Sequence, residues 1–333
     1  MHRRHVGMRP LFQRNSETQR EALTMTLDDF LTNYRLEHPN VGKSGMQQYR
    51  IAVTLFERWL ARPAVVGDLT NAAVGGFMID YHNDGATSPT TVNKKRQTLV
   101  MLANHAFLDG LIERPVTVVK MREEQALPNA LSVADMERVI EACRNAKPLP
   151  IRPYWFHQNR WFPDHWEGLI RTVYETGHRL DCLLTCETSA LTADGFLRMK
   201  AAGTKSKKEQ VHKLTDDLVD LLRQLRPKHK LLFPWPLSKR GIWKNFAKHI
   251  AEPAGIPCDR LHKFHCVRRT SGTLFRANSD NEQAVADHMG HENFKITRKF
   301  YIDPTKAYPD RVYASDVLPR IGERRPLAGE SGT

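Results

Sequence analysis

Two side chains stand out in FHCVRRTSGTLF, residues 264–275. The apolar spacing of this segment predicts a helix, and His265 and Arg268 are three positions apart, on one face of it. A packed helix gains little from an imidazole and a guanidinium beside its apolar residues. A guanidinium is a planar, permanent cation that binds paired phosphate or carboxylate oxygens, and an imidazole can exchange a proton near neutral pH.

An arginine and a lysine-rich turn precede that helix. Arg179 follows Gly177, where the previous helix is predicted to stop, in ETGHRLDCLL, so it begins a new element. The turn GTKSKKEQ carries Lys205, Lys207 and Lys208. Each feature alone is typical of a solvated surface, so neither indicates chemistry without the residues that follow.

The segment DHMGHENFKITRKFY adds a histidine and a tyrosine. Gly290 suits the left-handed residue that ends a helix, which would fix His291 just beyond it. In the next helix we expect Ile296 and Phe300 to form the buried stripe, leaving the hydroxyl of Tyr301 free to face a cleft. The ordered series Arg, turn Lys, His-x-x-Arg, Gly-His and Tyr is far more specific than any of its members.

The surrounding pattern predicts a mainly α fold with a small antiparallel β-sheet, that is, an α+β domain. One helix opens at Ser132, and others are expected over 215–226, 238–252, 265–278, 282–289 and 293–302. Residues 187–214 predict three short strands, with Asp194 and Gly195 at a hairpin turn. The aromatic, proline-rich insertion at 148–163 receives no functional assignment.

The chain divides into five predicted parts. We expect a disordered basic arm over 1–25, a helical domain over 26–112, a linker over 113–131, a second domain over 132–318 and a disordered tail over 319–333. Lys94, Lys95 and Arg96 form a basic run on a helix of the first domain, typical either of a solvated face or of a surface that contacts a phosphate backbone.

Composition narrows the partners. The sequence has 333 residues, 50 Lys and Arg against 37 Asp and Glu, and a net charge of +13. This excess favours a polyanionic partner, most often nucleic acid. Five cysteines in so long a chain do not suggest a disulfide framework. No apolar run is long enough for a membrane span, so no membrane partner is expected.

The quoted segments together resemble the tyrosine recombinase, or phage integrase, family over about residues 130–315, and 26–112 is similar to its core-binding domain. The resemblance implies a helical core-binding domain joined to a tyrosine-recombinase catalytic domain. It implies an enzyme of DNA recombination and integration, encoded by a bacterium, a phage or another mobile genetic element and acting in the cytoplasm on the nucleoid. Double-stranded DNA is the implied partner, and a homo-tetramer on paired sites is the implied assembly.

The resemblance also implies the roles of particular residues. Arg179 and Arg268 would bind the scissile phosphate, Lys205 would be the β-turn lysine, His265 and His291 the active-site histidines, and Tyr301 the nucleophile. Further DNA contacts are expected from Lys94, Lys95, Arg96, Lys207, Lys208 and Arg269.

Three positions depart from the family pattern. Where the family carries an acid three places after the first arginine, this chain has Cys182, and its acid is Asp181. The family tyrosine lies nine residues after the histidine. In this chain that position, counted from His291, is Phe300, and Tyr301 lies ten residues after the histidine. Tyr308 and Tyr313 stay open as alternative nucleophiles, as do Lys207 and Lys208 as alternatives to Lys205.

The implied chemistry is strand exchange through a covalent 3′-phosphotyrosyl link, which conserves bond energy and needs neither ATP, metal nor small-molecule cofactor. Two alternatives use the same residues or fold: a type IB topoisomerase-like nicking and closing enzyme, and a DNA-binding protein with a decayed site. A zinc site at Cys258, His262, His265 and Cys266 is disfavoured, because the usual paired ligand spacing is missing.

Overall fold

Helices build both parts of the chain. The computed structural model describes residues 24–85, 87–124, 127–147, 161–201, 208–225, 229–235, 239–259 and 264–308. The chain separates near residue 125 into two compact units. Several features lie outside the described residues: positions 148–160 of the 148–163 insertion, Lys205, Lys207, His262, Tyr313, most of the basic arm, and the tail.

The described residues of the first unit form four longer helices. They are α1 (Leu27–Glu37), α2 (Lys43–Leu60), α3 (Asn71–Asn83) and α4 (Pro89–Leu108), with a 3₁₀ turn at Val66–Asp68. Thr26 caps α1 by accepting a hydrogen bond from the backbone N–H of Asp29, as its type and position predict. Leu27, Phe30 and Leu31 are buried on the face that the apolar spacing indicates.

The chain that follows α4 packs back onto it. Asn93 donates from its amide nitrogen to the carbonyl of Met121 at 2.9 Å and accepts from the Met121 N–H at 2.9 Å. Arg96 donates from Nε to the carbonyl of Val118 at 2.5 Å. Part of the segment expected to be a linker is therefore held against the first unit.

The second unit is also mainly helical. It contains α5 (Val133–Arg144), α6 (Trp161–Thr176), α7 (Leu180–Leu184), α8 (Asp216–Gln224), α9 (Lys239–Phe246, continued by a π turn at Ala247–Ala251), α10 (His265–Ala277), α11 (Glu282–His288), α12 (Phe294–Tyr301) and α13 (Pro304–Ala307). Its hydrophobic core consists of apolar side chains packed around α6 and α10, including Trp166, Leu169, Phe264 and Val267.

The predicted three-stranded sheet is wrong within the described residues. Two antiparallel strands form, β1 (Phe196–Met199) and β2 (Gln210–Lys213). The segment before β1 instead makes a 3₁₀ turn at Thr188–Ala190 and single bridges, Glu187 to Leu231 and Leu191 to Leu197. The predicted turn precedes β1, where Gly195 has φ of +80°, a conformation that favours glycine.

The expected buried stripe of α12 is also wrong. Ile296 is 41% exposed and Phe300 is 54% exposed, whereas Thr297 and Tyr301 are the buried residues of this helix. Both faces carry residues able to pack, so spacing alone could not select one. The buried face is chosen by the polar contacts of Thr297 and Tyr301 described below.

None of the helices that the structure describes is long and apolar enough to cross a bilayer.

Candidate active site

Arg268 is the most deeply buried charge of the second unit's site, at 2% exposed. It lies on α10, where Nη1 donates to the carbonyl of Gly177 and Nη2 donates to the carbonyl of Met289 at 2.7 Å. Nη2 also lies 3.2 Å from Nε2 of His291. Burial, and next the charge of Arg179, lower the pKa of Arg268 to about 10, so it remains a cation at neutral pH.

Arg179 stands immediately before α7, at its N-cap position. Gly177 has φ of +61°, which turns the chain sharply between α6 and α7. Arg179 is half-buried and contributes electrostatically at Arg268, so two guanidiniums share one site. Cys182, in the place of the family's acid, is buried, and Asp181 is exposed.

The position of His291 is fixed by the turn that ends α11. Gly290 has φ of +64°, and the N–H of His291 donates to the carbonyl of Ala286 at 2.9 Å. Nδ1 of the ring lies 2.8 Å from the hydroxyl oxygen of Thr297. Because a guanidinium can only donate, Nε2 facing Arg268 must accept, and the ring proton is therefore on Nδ1.

Burial lowers the pKa of His291 to about 4, with smaller contributions from the charges of Arg268, Arg179 and His265. Its imidazole is accordingly neutral at pH 7.

Tyr301 ends α12 with its side chain turned inward and only 8% exposed. The hydroxyl of Thr273 on α10 donates to the Tyr301 carbonyl at 3.0 Å and accepts from the N–H of Asp303 at 3.0 Å. Phe300 turns outward, and Tyr308 packs instead in a small separate apolar cluster. Of the two candidate tyrosines that the structure describes, Tyr301 and Tyr308, Tyr301 is the one close to Arg268 and the histidines.

Three functional groups surround the ring of Tyr301. The guanidinium carbon of Arg268 lies 4.9 Å from the ring centroid. The ring centroids of His291 and His265 lie 4.8 Å and 5.3 Å from it. A phenol, two imidazoles and a buried guanidinium therefore converge within one unit of the protein.

His265 is the first residue of α10 and keeps part of its surface exposed. Desolvation by its neighbours, and next the charges of Arg268, Arg269 and Arg179, lower the pKa of His265 to about 4. A neutral imidazole at pH 7 can accept a proton, which is the protonation state that a general base requires.

A cleft of about 950 Å³ opens beside these groups. Its walls include Arg179, His265, Arg268, Arg198, Lys200 and Trp243. The positive side chains make it suited to an anionic ligand.

Residues 129–307, slightly more than half of the chain, match the model of the phage integrase family. The chain belongs to the phage integrase family. It is 22% identical over 308 residues to the tyrosine recombinase XerD of Listeria innocua, which covers 86% of this chain and 96% of that protein. It is 20% identical to the XerD of Haemophilus ducreyi over 84% of this chain and 93% of that one.

Solved structures of integrases share the fold. The Tn1549 transposon integrase in complex with a circular intermediate DNA superposes with a TM-score of 0.66 at 13% identity, covering 84% of this chain and 95% of that chain. A lambda integrase dimer bound to a COC′ core site gives 0.63 at 15% identity, covering 96% and 85%. The mainly helical fold with a small antiparallel sheet, the family, and the enzyme class of tyrosine site-specific recombinase are confirmed.

Several residues that complete the integrase site escaped the sequence interpretation. Thr273 and Thr297 hold Tyr301 and His291, and the carbonyls of Gly177 and Met289 hold Arg268. A threonine within a helix gives no special signal, and a carbonyl gives none.

Three histidines also lie behind the site. The ring of His212 on β2 is 4.7 Å from that of His178 and 5.6 Å from that of His288, measured between centroids. Burial is the largest cause that lowers the pKa values of His178, His212 and His288, to about 2, 4 and 3 respectively. These imidazoles are neutral, so they add no positive charge beside Arg268.

The residues expected to contact DNA differ in how exposed they are to solvent. Lys94 is exposed, whereas Lys95 is buried, and burial together with the charge of Lys94 lowers the pKa of Lys95. Arg96 is engaged with the Val118 carbonyl, as described above. Lys208 is exposed, and Arg269 is half-buried.

Proposed function

We propose that Tyr301 is the nucleophile of this tyrosine recombinase and that Arg179, Arg268, His265, His291 and Lys205 assist it. The observation that carries the proposal is the packing of the Tyr301 ring against Arg268, His291 and His265. This packing supports the proposal, because it brings a phenol next to a cation suited to phosphate and two imidazoles suited to proton transfer.

The reaction balances without an outside reactant. The phenolic oxygen of Tyr301 attacks the scissile phosphorus, the bond to the 5′-oxygen breaks, and a 3′-phosphotyrosyl ester remains. Neutral His265 accepts the phenolic proton, and the departing 5′-oxygen takes a proton from Lys205, which the family resemblance suggests for this role. A 5′-hydroxyl from another strand reverses these steps and joins the new partners.

The arginines stabilise the charge that builds on the non-bridging oxygens. Nε of Arg268 is a buried donor with no partner among the described residues, so a phosphate oxygen would satisfy it. His291 would donate a hydrogen bond to the same phosphate from Nε2. For this, Nε2 must leave its present contact with Arg268, and the ring proton must move from Nδ1 to Nε2.

Double-stranded DNA is the partner that this chemistry requires. The net charge of +13 and the basic cleft support it, as do the relatives whose structures were solved with DNA. Exposed Lys94 and Lys208 are proposed backbone contacts, joined by Lys207 and Arg269, so that affinity falls steeply with salt. A homo-tetramer on paired sites is proposed by analogy with a lambda integrase tetramer bound to a Holliday junction.

We assign DNA binding to a core-binding domain at 26–112, linked by 113–131 to a catalytic domain at 132–318, with a basic arm and a tail at the ends. The division near residue 125 and the family match over 129–307 support this arrangement. The relatives are bacterial or transposon proteins, which supports action on the nucleoid in a bacterial cytoplasm.

A nicked substrate tests the proposal. Binding sites are first selected from a random duplex library, and a nick is then placed beside the scissile phosphate so that the short fragment diffuses away and traps the protein. We expect a covalent protein–DNA complex in the presence of chelator and without ATP. A selected duplex that binds tightly but never yields this complex would rule out the covalent mechanism.

Exchange between two sites separates recombination from simple nicking and closing. Paired selected sites on a plasmid should yield recombinant products. Relaxation of any supercoiled plasmid without such products would instead support a topoisomerase-like activity.

A further inference from the structure

We propose that the first unit contains a divalent transition-metal site formed by Glu37, His38 and His105. One carboxylate oxygen and one imidazole nitrogen from each histidine all lie within 4.8 Å of one another. Two nitrogens and an oxygen are the donor set that zinc accepts, whereas magnesium and calcium prefer oxygen alone. The site lies in the first unit, and its existence does not depend on the recombination mechanism.

The end of α1 prepares His38 as a ligand. His38 is the C-cap of α1, and its Nδ1 lies 3.0 Å from the carbonyl oxygen of Tyr34. A carbonyl can only accept, so Nδ1 carries the proton and Nε2 carries the lone pair. Stacking on Tyr34, with centroids 4.0 Å apart and planes at 10°, restrains the ring. A carbonyl that fixes the tautomer in this way is a common feature of metal-bound histidines.

The last turn of α4 provides the opposite side of the site. Nε2 of His105 lies 2.9 Å from Oε2 of Glu37 and 3.7 Å from Oδ2 of Asp109. In a tetrahedral zinc site with normal bond lengths, two ligand atoms lie about 3.3 Å apart. The two distances from His105 Nε2 lie on either side of this value. The group of mutually close ligand atoms consists of Glu37, His38 and His105, so water is the expected fourth ligand and Asp109 adds negative charge beside His105.

The local charge also favours a dication. Glu37 and Asp109 supply two negative charges beside two imidazoles that are neutral when they bind a metal. His38 and His105 also lie at the C-terminal ends of α1 and α4, where the helix dipoles attract positive charge. A bound ion would tie these two helix ends together.

Zinc binding to the full-length chain tests the site directly. After treatment with chelator and its removal, the parent is titrated with Zn²⁺ by calorimetry and with Co²⁺ by visible absorption, which reports ligand geometry. We expect binding at this site, a tetrahedral or five-coordinate cobalt spectrum, and a higher thermal midpoint with Zn²⁺.

Substitutions separate this site from the chain's other histidines. His105→Ala and the nearly isosteric Glu37→Gln should each weaken Zn²⁺ binding by about tenfold or more and change the cobalt spectrum. His82→Ala is the matched control, because His82 lies in the same unit and also places Nδ1 near a carbonyl oxygen, that of Thr87, at 2.6 Å. Circular dichroism establishes that each variant is folded.

Two results would overturn the assignment. One is a folded parent that takes up neither Zn²⁺ nor Co²⁺. The other is a folded Glu37→Gln or His105→Ala variant whose titration and cobalt spectrum match those of the parent, since binding would then arise elsewhere.

Discussion

The hydroxyl oxygen of Thr297 lies 2.8 Å from Nδ1 of His291. This contact orients the imidazole so that its other nitrogen faces Arg268 at 3.2 Å. Thr297 is itself fully buried on α12, one turn before Tyr301. The helix that carries Tyr301, the proposed nucleophile, therefore also orients His291, so the positions of these two side chains are coupled.

Thr297→Val should slow formation of the covalent DNA complex by about tenfold, because the substitution preserves shape but removes the partner of His291. Thr297→Ser keeps the hydroxyl and should restore most of the rate. The rate is measured with the nicked substrate under single-turnover conditions, together with its pH dependence. A valine variant with the parent's rate and pH profile would show that Thr297 only fills space.

Tyr301→Phe should abolish the covalent complex while leaving DNA binding close to that of the parent, since only the nucleophilic oxygen is removed. Tyr308→Phe is the control, because Tyr308 packs in a separate cluster with the Arg276 guanidinium carbon 4.8 Å from its ring centroid. Denaturing gels detect the complex. If Tyr301→Phe still traps DNA, the nucleophile is a residue other than Tyr301.

Thr297 and Tyr301 also show what sequence patterns can and cannot predict for this site. The series from Arg179 to Tyr301 predicted the family, because motifs in a fixed order are specific even when each is weak. The same patterns chose the wrong face of α12, because Ile296 and Phe300 have the spacing of a core stripe but lie outside. That choice depends on the hydroxyl of Thr297 and the ring of Tyr301 meeting groups from distant parts of the chain.

Strand prediction failed for a related reason. Apolar alternation before Asp194 suggested a strand, but Thr188 donates its N–H to the carbonyl of Lys230 at 2.9 Å, outside any continuous ladder. Pairing between distant segments decides whether such a stretch forms a strand, and local alternation carries no information about that partner.

Thr273→Val should reduce cleavage by about tenfold, because Thr273 joins α10 to the end of α12 through the Tyr301 carbonyl and the Asp303 N–H. Loss of the hydroxyl leaves buried backbone groups unpaired, which costs about 1–3 kcal/mol of folding stability as well. Thr273→Ser should recover both properties. Comparison of single-turnover rates with urea unfolding separates the two effects. A valine variant that is destabilised but cleaves normally would exclude a positioning role.

Arg268→Lys should lower the cleavage rate by about 10²–10³-fold, because a lysine keeps the charge but cannot provide the planar fork. It would also leave the carbonyls of Gly177 or Met289 without their present donor. Arg276→Lys is a control on the same helix, where Arg276 bonds the Ser279 carbonyl at 3.0 Å. Cleavage by Arg268→Lys at the parent rate would contradict the role assigned to the guanidinium.

Acid should destabilise the second unit through its buried histidines. His212 has a folded-state pKa of about 4, against about 6.5 for an exposed imidazole. Burial is the largest cause, followed by the charge of Arg268. As the pH falls below 6.5, His212 takes up a proton in the unfolded chain, whereas in the folded unit it stays neutral until about pH 4. The folding stability that neutral His212 contributes at pH 7 is therefore lost progressively between about pH 6.5 and pH 4.

His212→Gln removes one such group. Between pH 7 and pH 5 its free energy of unfolding should therefore fall by about 2 kcal/mol less than that of the parent. Trp59 is the one tryptophan in the sequence before residue 155. In a Trp59→Phe background, tryptophan fluorescence during urea unfolding reports the second unit alone. Equal pH dependence in the presence and absence of His212 would mean that this imidazole takes up a proton as readily in the folded protein as in the unfolded chain, despite its burial beside His178 and His288.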